Sequence, residues 1–457
     1  NTVWADLPPG EPTSAGRGRL VRALFTDGIQ ILDIEAHRWA LDPSGGWRKP
    51  GITYRRLIAL IETDGEGIAL LDLSRITGGV EHWRTCRGLE GIFQTDNADL
   101  KPQPGTVAGP NIQRTQTDNL PHPDHTALAY MDNVTTAQAP PAFRGTWQSQ
   151  IEPAIHLDLH QLNTSPNTQV FNTRAAQAMG TPEESNYLYH PVIWRRTPQN
   201  DTTCIDLVFE PHLDNPTLAN TTAIPSNNPT AAGIHLTTAK GKQIALYWAP
   251  NASPDDKTQF ENGVALTGAL AVVADGQIST MGATAFQNAE TTLTNTRAQQ
   301  TGRIIALNRD TCTIDVEGLQ DITPGDRITI NPDDRAHSYR IEAAEQLNTH
   351  IHRLTLDVTS ILGRAKVVAI EDNKIDFGFQ IPAKSGNLHG TRLQTGDDWA
   401  VITNAHNSST WPPGKIRTTI TIDPNNNRLQ NLSPDTWVQI VDYVIGDPVL
   451  FEPLCRG

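Results

Sequence analysis

The residues with the clearest chemical potential stand in short alternating runs. His156-Leu157-Asp158-Leu159-His160 places two imidazoles and a carboxylate at every second position. In an extended strand, alternate residues share a face, so these three groups line up as a metal platform. The plainer reading is a half-buried strand, with Leu157 and Leu159 inward and a polar outer face. His350-Ile351-His352 repeats the pattern, with the same two readings. His122-Pro123-Asp124-His125 falls in a Pro-rich stretch and reads as a solvated loop. No Gly-x-Ser-x-Gly elbow occurs, so a hydrolase triad has no support.

Cysteine and tryptophan set further expectations. Cys86, Cys204, Cys312 and Cys455 are widely spaced, with no Cys-x-x-Cys, which excludes a zinc ribbon. An even count in so polar a chain fits an extracytoplasmic protein with two disulfides; four buried free thiols are the alternative. Ten tryptophans occur where aromatics are only 6% of the chain. Flat apolar rings with polar rims suit sugar surfaces, although core packing accounts for most such rings. Trp411, in the turn Trp411-Pro412-Pro413-Gly414, is the best candidate for an exposed one.

The elements that must position these groups read as strands almost throughout. Arg19–Phe25 and Ile29–Ala36 flank Asp27-Gly28, and Leu57–Ile61 and Ile68–Leu73 flank Asp64-Gly65. Asp-Gly between two β-rich runs is a strong hairpin signal. Residues 100–141 are rich in Pro, Thr, Asn and Gly and read as a long surface insertion. Residues 195–203 and 214–230 also read as loops, and residues 285–301 as a loop or short helix. From Gly302, short strands at regular spacing, with a Pro324-Gly325-Asp326 turn, look like a small barrel. The expected organisation is all-β. A large antiparallel β-sandwich spans 1–300, a barrel-like module 301–380 and a further β module 381–457.

Composition narrows the partners. The 457 residues carry 50 Asp and Glu against 36 Lys and Arg, a net charge of −14, which argues against nucleic-acid binding. Arg outnumbers Lys, and guanidinium suits carboxylate or sulfate recognition. No apolar run approaches the ~20 residues of a membrane helix. Asn1 as the first residue reads as a processed product.

Several segments together resemble a known family. Asn1-Thr2-Val3-Trp4-Ala5-Asp6 resembles the strand that follows a catalytic-domain His in heparinase II/III-like polysaccharide lyases. Gly51-Ile52-Thr53-Tyr54-Arg55-Arg56-Leu57 is similar to a later strand of that family. Leu70-Leu71-Asp72-Leu73-Ser74-Arg75-Ile76-Thr77-Gly78-Gly79-Val80-Glu81-His82-Trp83 resembles its Leu-Asp-x-x-Arg-x-x-Gly-Gly-x-x-His-Asp signature, with Trp83 in place of the final Asp. Segments 144–159 and 208–211 also look like family strands, and nothing beyond about 300 does.

The resemblance implies a secreted, extracellular or periplasmic protein that handles an acidic, uronate-containing polysaccharide. Lyases of this kind act by β-elimination, which needs the uronate carboxylate neutralised, a base at the acidic proton and an acid at the leaving oxygen. His82, Arg84, Arg87 and Arg55 are the substrate-binding candidates it suggests. The bland alternative is that His82 satisfies a local hydrogen bond and the arginines cover apolar surface. The family's catalytic Tyr and His come from a helical toroid that precedes the expected His. This chain alone is therefore expected to be inactive, with an upstream helical chain of the same precursor as partner. The resemblance also implies one divalent metal, zinc or calcium, with Asp27 as its carboxylate; Tyr54 stands where the family often has a metal-binding His. Two readings compete with the lyase. One is a building block of an extracellular fibre or surface layer that self-associates through exposed strand edges. The other is a non-catalytic carbohydrate-binding module.

Overall fold

Two Asp-Gly turns organise the largest sheet. Gly28 and Gly65 both take φ of +72°, the left-handed conformation that tight hairpin turns need. The strands they join, Ser14–Thr26 with Ile29–Leu41 and Thr53–Glu62 with Ile68–Thr77, pair antiparallel as expected. The computed structural model describes residues 2–5, 14–41, 47–48, 51–65, 67–88, 91–176, 188–332, 335–378, 388–408, 417–429 and 432–457. Among the described residues the regular structure is nearly all antiparallel β, arranged as three open sheets and two closed barrels.

The three sheets stack with the large one in the middle. Beyond the two hairpins it continues through Thr203–Leu213, Ile155–Thr164, Arg144–Ser149 and Gly91–Thr95. Alternation gives it two apolar faces. Leu57, Ala59, Ile61, Leu71, Leu73 and Val208 pack against Ile234, Leu246, Trp248 and Val272 of a third sheet. On the other face, Trp147, Leu159, Leu207 and Phe209 pack against Val170, Val192 and Trp194 of the first sheet. Burial on both faces explains why these strands read as near-continuous hydrophobic runs.

Strand pairing divides the C-terminal third differently from the sequence reading. The first barrel takes Gln300–Asn308, Thr313–Glu317, Arg327–Ile330, His337–Gln346 and Ile351–Leu356, and is closed by Pro448–Phe451. The second takes Ile361–Glu371, Lys374–Phe377, Arg392–Thr395, Asp398–Ser408, Arg417–Asn427 and Trp437–Val441. A boundary at 380 therefore cuts the second barrel and strands the closing strand of the first. The cause is non-local. Pro448–Phe451 pairs with both Gln300–Asn308 and Arg327–Ile330, and Val449 and Phe451 complete that barrel's core.

Three segments expected as loops carry strand, 285–301 among them with Thr292–Thr294. Leu218–Ile224 is the edge strand of the third sheet, in which only Leu218 and Thr221 are buried, so its sequence carries little apolar signal. Within 100–141, a 3-10 helix, Pro123–Tyr130, leads into the strand Met131–Gln138. Val107, Leu128, Ala129 and Met131 there form a core with Trp83. The insertion thus covers one face of the first sheet.

Candidate functional site

The signature residues hold sheet to sheet. Asp72 accepts two hydrogen bonds from Arg56, at 2.8 and 2.7 Å, and pairs with Arg84, which reaches it from the first sheet. Burial raises the Asp72 carboxyl, but the two guanidiniums outweigh it and leave it below its ordinary range. Arg75 points to the opposite face, pairs with Asp206 at 2.5 Å and lies 5.1 Å from the Trp248 ring centre. Arg55 pairs with Asp33 at 2.7 Å and with Glu35 at 3.3 Å. His82 is buried, with Nε2 2.6 Å from the Gly78 carbonyl and Nδ1 2.7 Å from the Thr203 hydroxyl.

His82, Arg84 and Arg55 are therefore interior groups with protein partners. Arg87 is the exposed one of the four, and its guanidinium lies 5.6 Å from the Tyr189 ring centre. The four do not converge on one surface. Asp27 is exposed in its turn beside Ile29, which pairs with Ile61, whereas Tyr54 pairs with Ala36. Seven residues of strand separate those pairs, roughly 24 Å, so Asp27 and the Tyr54 position cannot share an ion. The expected metal site at Asp27 does not fit this geometry.

Other sequence candidates also move. His125 is buried, edge-on to Trp83 at 5.3 Å and 3.4 Å from Glu81, because the insertion that carries it is packed. Trp411 lies outside the described residues. The four cysteines are free thiols, correcting the expected disulfides. They sit on or beside four different strands, and Cys86 and Cys204 are buried in the sheets.

A groove at the meeting of the two barrels was not legible in the sequence. It encloses about 670 Å³ and is lined by Arg309, Asp310, Arg364, Gln394, Trp437 and Gln439 among others. Trp437 is 66% exposed, the most open of the large apolar side chains here apart from Ile151 and Leu213. Register puts Arg364, Gln439 and Gln394 in one row across three strands. Arg309 fixes the floor, donating to Ser360 at 2.5 Å, to Gln394 at 2.8 Å and to the Tyr443 carbonyl at 3.0 Å. Arg364 is exposed and makes no ion pair among the described residues.

The alternating His-Asp-His run lies on the middle sheet, with Leu157 and Leu159 facing the first sheet as expected. Its polar face meets a second alternating pair, Glu210 and His212, on the adjacent strand. His156 is opposite His212, and Asp158 is opposite Glu210. Donor atoms of Asp158, His160 and Glu210 all lie within 4.8 Å of one another. His212 Nε2 is 3.2 Å from Asp158 Oδ2, and His156 stacks on the His212 ring at 5.2 Å. Burial pulls the His160 imidazole below its ordinary range despite Asp158.

No protein-family model matches the chain, and no curated protein matches it.

Proposed function

We propose that this protein binds an acidic polysaccharide, as the glycan-handling β portion of a heparinase II/III-like lyase. The observation that carries the binding reading is Trp437, an open ring in a polar groove beside Arg364, which is exposed and makes no ion pair among the described residues. A sugar's apolar face stacks on such a ring, and an arginine beside it answers a uronate or sulfate bidentately. The volume suits a short glycan segment. The rigid floor built by Arg309 lowers the ordering cost of binding.

Affinity electrophoresis through a uronate-containing polysaccharide and through a neutral glucan tests this. Retardation by the acidic polymer is expected, falling roughly tenfold in affinity for Trp437→Ala. Arg364→Gln is expected to erase the preference for the acidic polymer. Binding to neither polymer, or binding unchanged in both variants, overturns the reading.

The elimination reading rests on a different observation. The signature segments occupy neighbouring strands, Thr53–Glu62 beside Ile68–Thr77, with His82–Cys86 across from them in the first sheet. Its readout is unsaturated uronate released from the acidic glycan. Since His82, Arg84 and Arg55 are interior groups, such product would have to depend on other residues or on another domain.

A further inference from the structure

We propose that Asp158, His160, Glu210 and His212 form a binding site for one divalent transition metal ion of the zinc class. The inference is independent of the glycan reading. It rests on how two strands combine their outward faces. His160 and Asp158 on Ile155–Thr164, and Glu210 and His212 on Thr203–Leu213, project from the same face of the middle sheet, beside Leu218, where the third sheet's edge strand begins.

Glu210 shows the strongest sign of an absent partner. One of its carboxylate oxygens is saturated, accepting from the Thr217 and Leu218 amides and from the Thr217 hydroxyl at 3.0 Å. The other, Oε2, is buried and accepts no hydrogen bond among the described residues; the His160 Nε2 atom is 4.0 Å away. Both ring nitrogens of His160 and of His212 are likewise buried without a well-formed hydrogen bond among the described residues, His212 Nε2 having only the Asp158 carboxylate beside it at 3.2 Å. Buried polar atoms are nearly always satisfied, so Glu210 Oε2 and one nitrogen of each of the His160 and His212 rings call for a common partner, since an imidazole turns only one nitrogen toward a given ion. A cation supplies it, and also explains how Asp158 and Glu210 tolerate direct opposition.

The donor set selects the ion. Two imidazoles and two carboxylates suit zinc and its first-row neighbours, while calcium and magnesium prefer all-oxygen shells. The outer hydrogen bonds are those of a prepared site. The Thr146 hydroxyl holds Asp158 Oδ1 at 2.6 Å, and the Thr217–Leu218 turn holds Glu210. The Asp158 and His160 side chains keep 20% and 17% of their exposure, so solvent reaches the site and the ion can exchange.

The test is direct binding to the metal-stripped full chain. Cobalt(II) should bind in one equivalent and develop the visible absorption of a low-coordinate nitrogen–oxygen site. Zinc should displace it, and calcium in large excess should not. His160→Gln and His212→Gln should each weaken cobalt binding by more than the ~10–100-fold typical of an outer hydrogen-bond partner, and Thr146→Val by about that range. Zinc should raise the melting temperature of the parent and not of His160→Gln. Equal melting temperatures of the stripped parent and variants would show that the variants are folded. Failure to bind cobalt or zinc, equal competition by calcium, or binding retained in His160→Gln but lost in Asp27→Asn would each overturn the proposal.

Discussion

Asp158 and Glu210 stand directly opposite each other on adjacent antiparallel strands, two carboxylates on one face of the sheet. Like charges in that relationship repel by a few tenths to about 1 kcal/mol unless a cation lies between them. The sign of a mutation then depends on metal. In stripped protein, Asp158→Asn is expected to stabilise by roughly 0.2–1 kcal/mol, because Asn still accepts from Thr146 while the repulsion is gone. With excess zinc the order should reverse. Urea unfolding with and without zinc measures both. The same sign in both conditions would mean that the pair is screened by protein alone.

Asp72 carries a heavier structural role. Arg84 is fully buried, and its Nε and Nη1 atoms have no hydrogen-bond partner among the described residues, so Asp72 is its main compensation. Asp72→Ala leaves that charge unpaired and should cost about 3–5 kcal/mol. Arg56→Ala should cost less, because Arg56 is partly solvated. The pH dependence has a defined sign. The Asp72 carboxyl is held below its unfolded value of about 3.9, so its contribution is complete above that pH and is lost as pH falls through the folded value. The stability gap between parent and Asp72→Asn should be flat above about pH 5 and close below about pH 4. Chemical denaturation across that range checks it.

The thiols should divide into two pairs. Burial pushes the Cys86 thiol up to about 11, despite nearby Arg84, and raises that of Cys204 as well. Cys312 and Cys455 are partly exposed. At pH 8, an alkylating reagent should label Cys312 and Cys455 quickly, and Cys86 and Cys204 only on unfolding. Peptide mapping before and after denaturant decides this. Recovery of any disulfide-linked peptide from the native protein would contradict it.

The Gly78–His82 turn is expected to act on stability and not on glycan binding. Gly78 takes φ of +77°, and a Cβ there would run into the Gly51 carbonyl. Gly78→Ala should therefore cost more than about 1 kcal/mol. His82→Ala leaves the Gly78 carbonyl and the Thr203 hydroxyl short of a partner, at about 1–3 kcal/mol. Both variants should bind acidic glycan like the parent at temperatures where they are folded. A selective loss of binding in His82→Ala would return His82 to the substrate surface.

Much of this protein follows from local sequence alone. Alternation and two Asp-Gly turns determine the antiparallel strands, because side-chain period and turn chemistry are properties of a few consecutive residues. The same alternation puts His156, Asp158 and His160 on one face. It cannot say what that face meets. Glu210 and His212 arrive from a distant strand whose register is fixed by burying Leu207 and Phe209 against the first sheet. The groove at Trp437 exists only because two barrels close beside each other, one of them with Pro448–Phe451. The signature arginines are the reverse case. Their spacing was legible, but burial between sheets made Arg84 and Arg55 partners of Asp72 and Asp33. Which charges meet across sheets depends on non-local packing, and only the tertiary structure decides it.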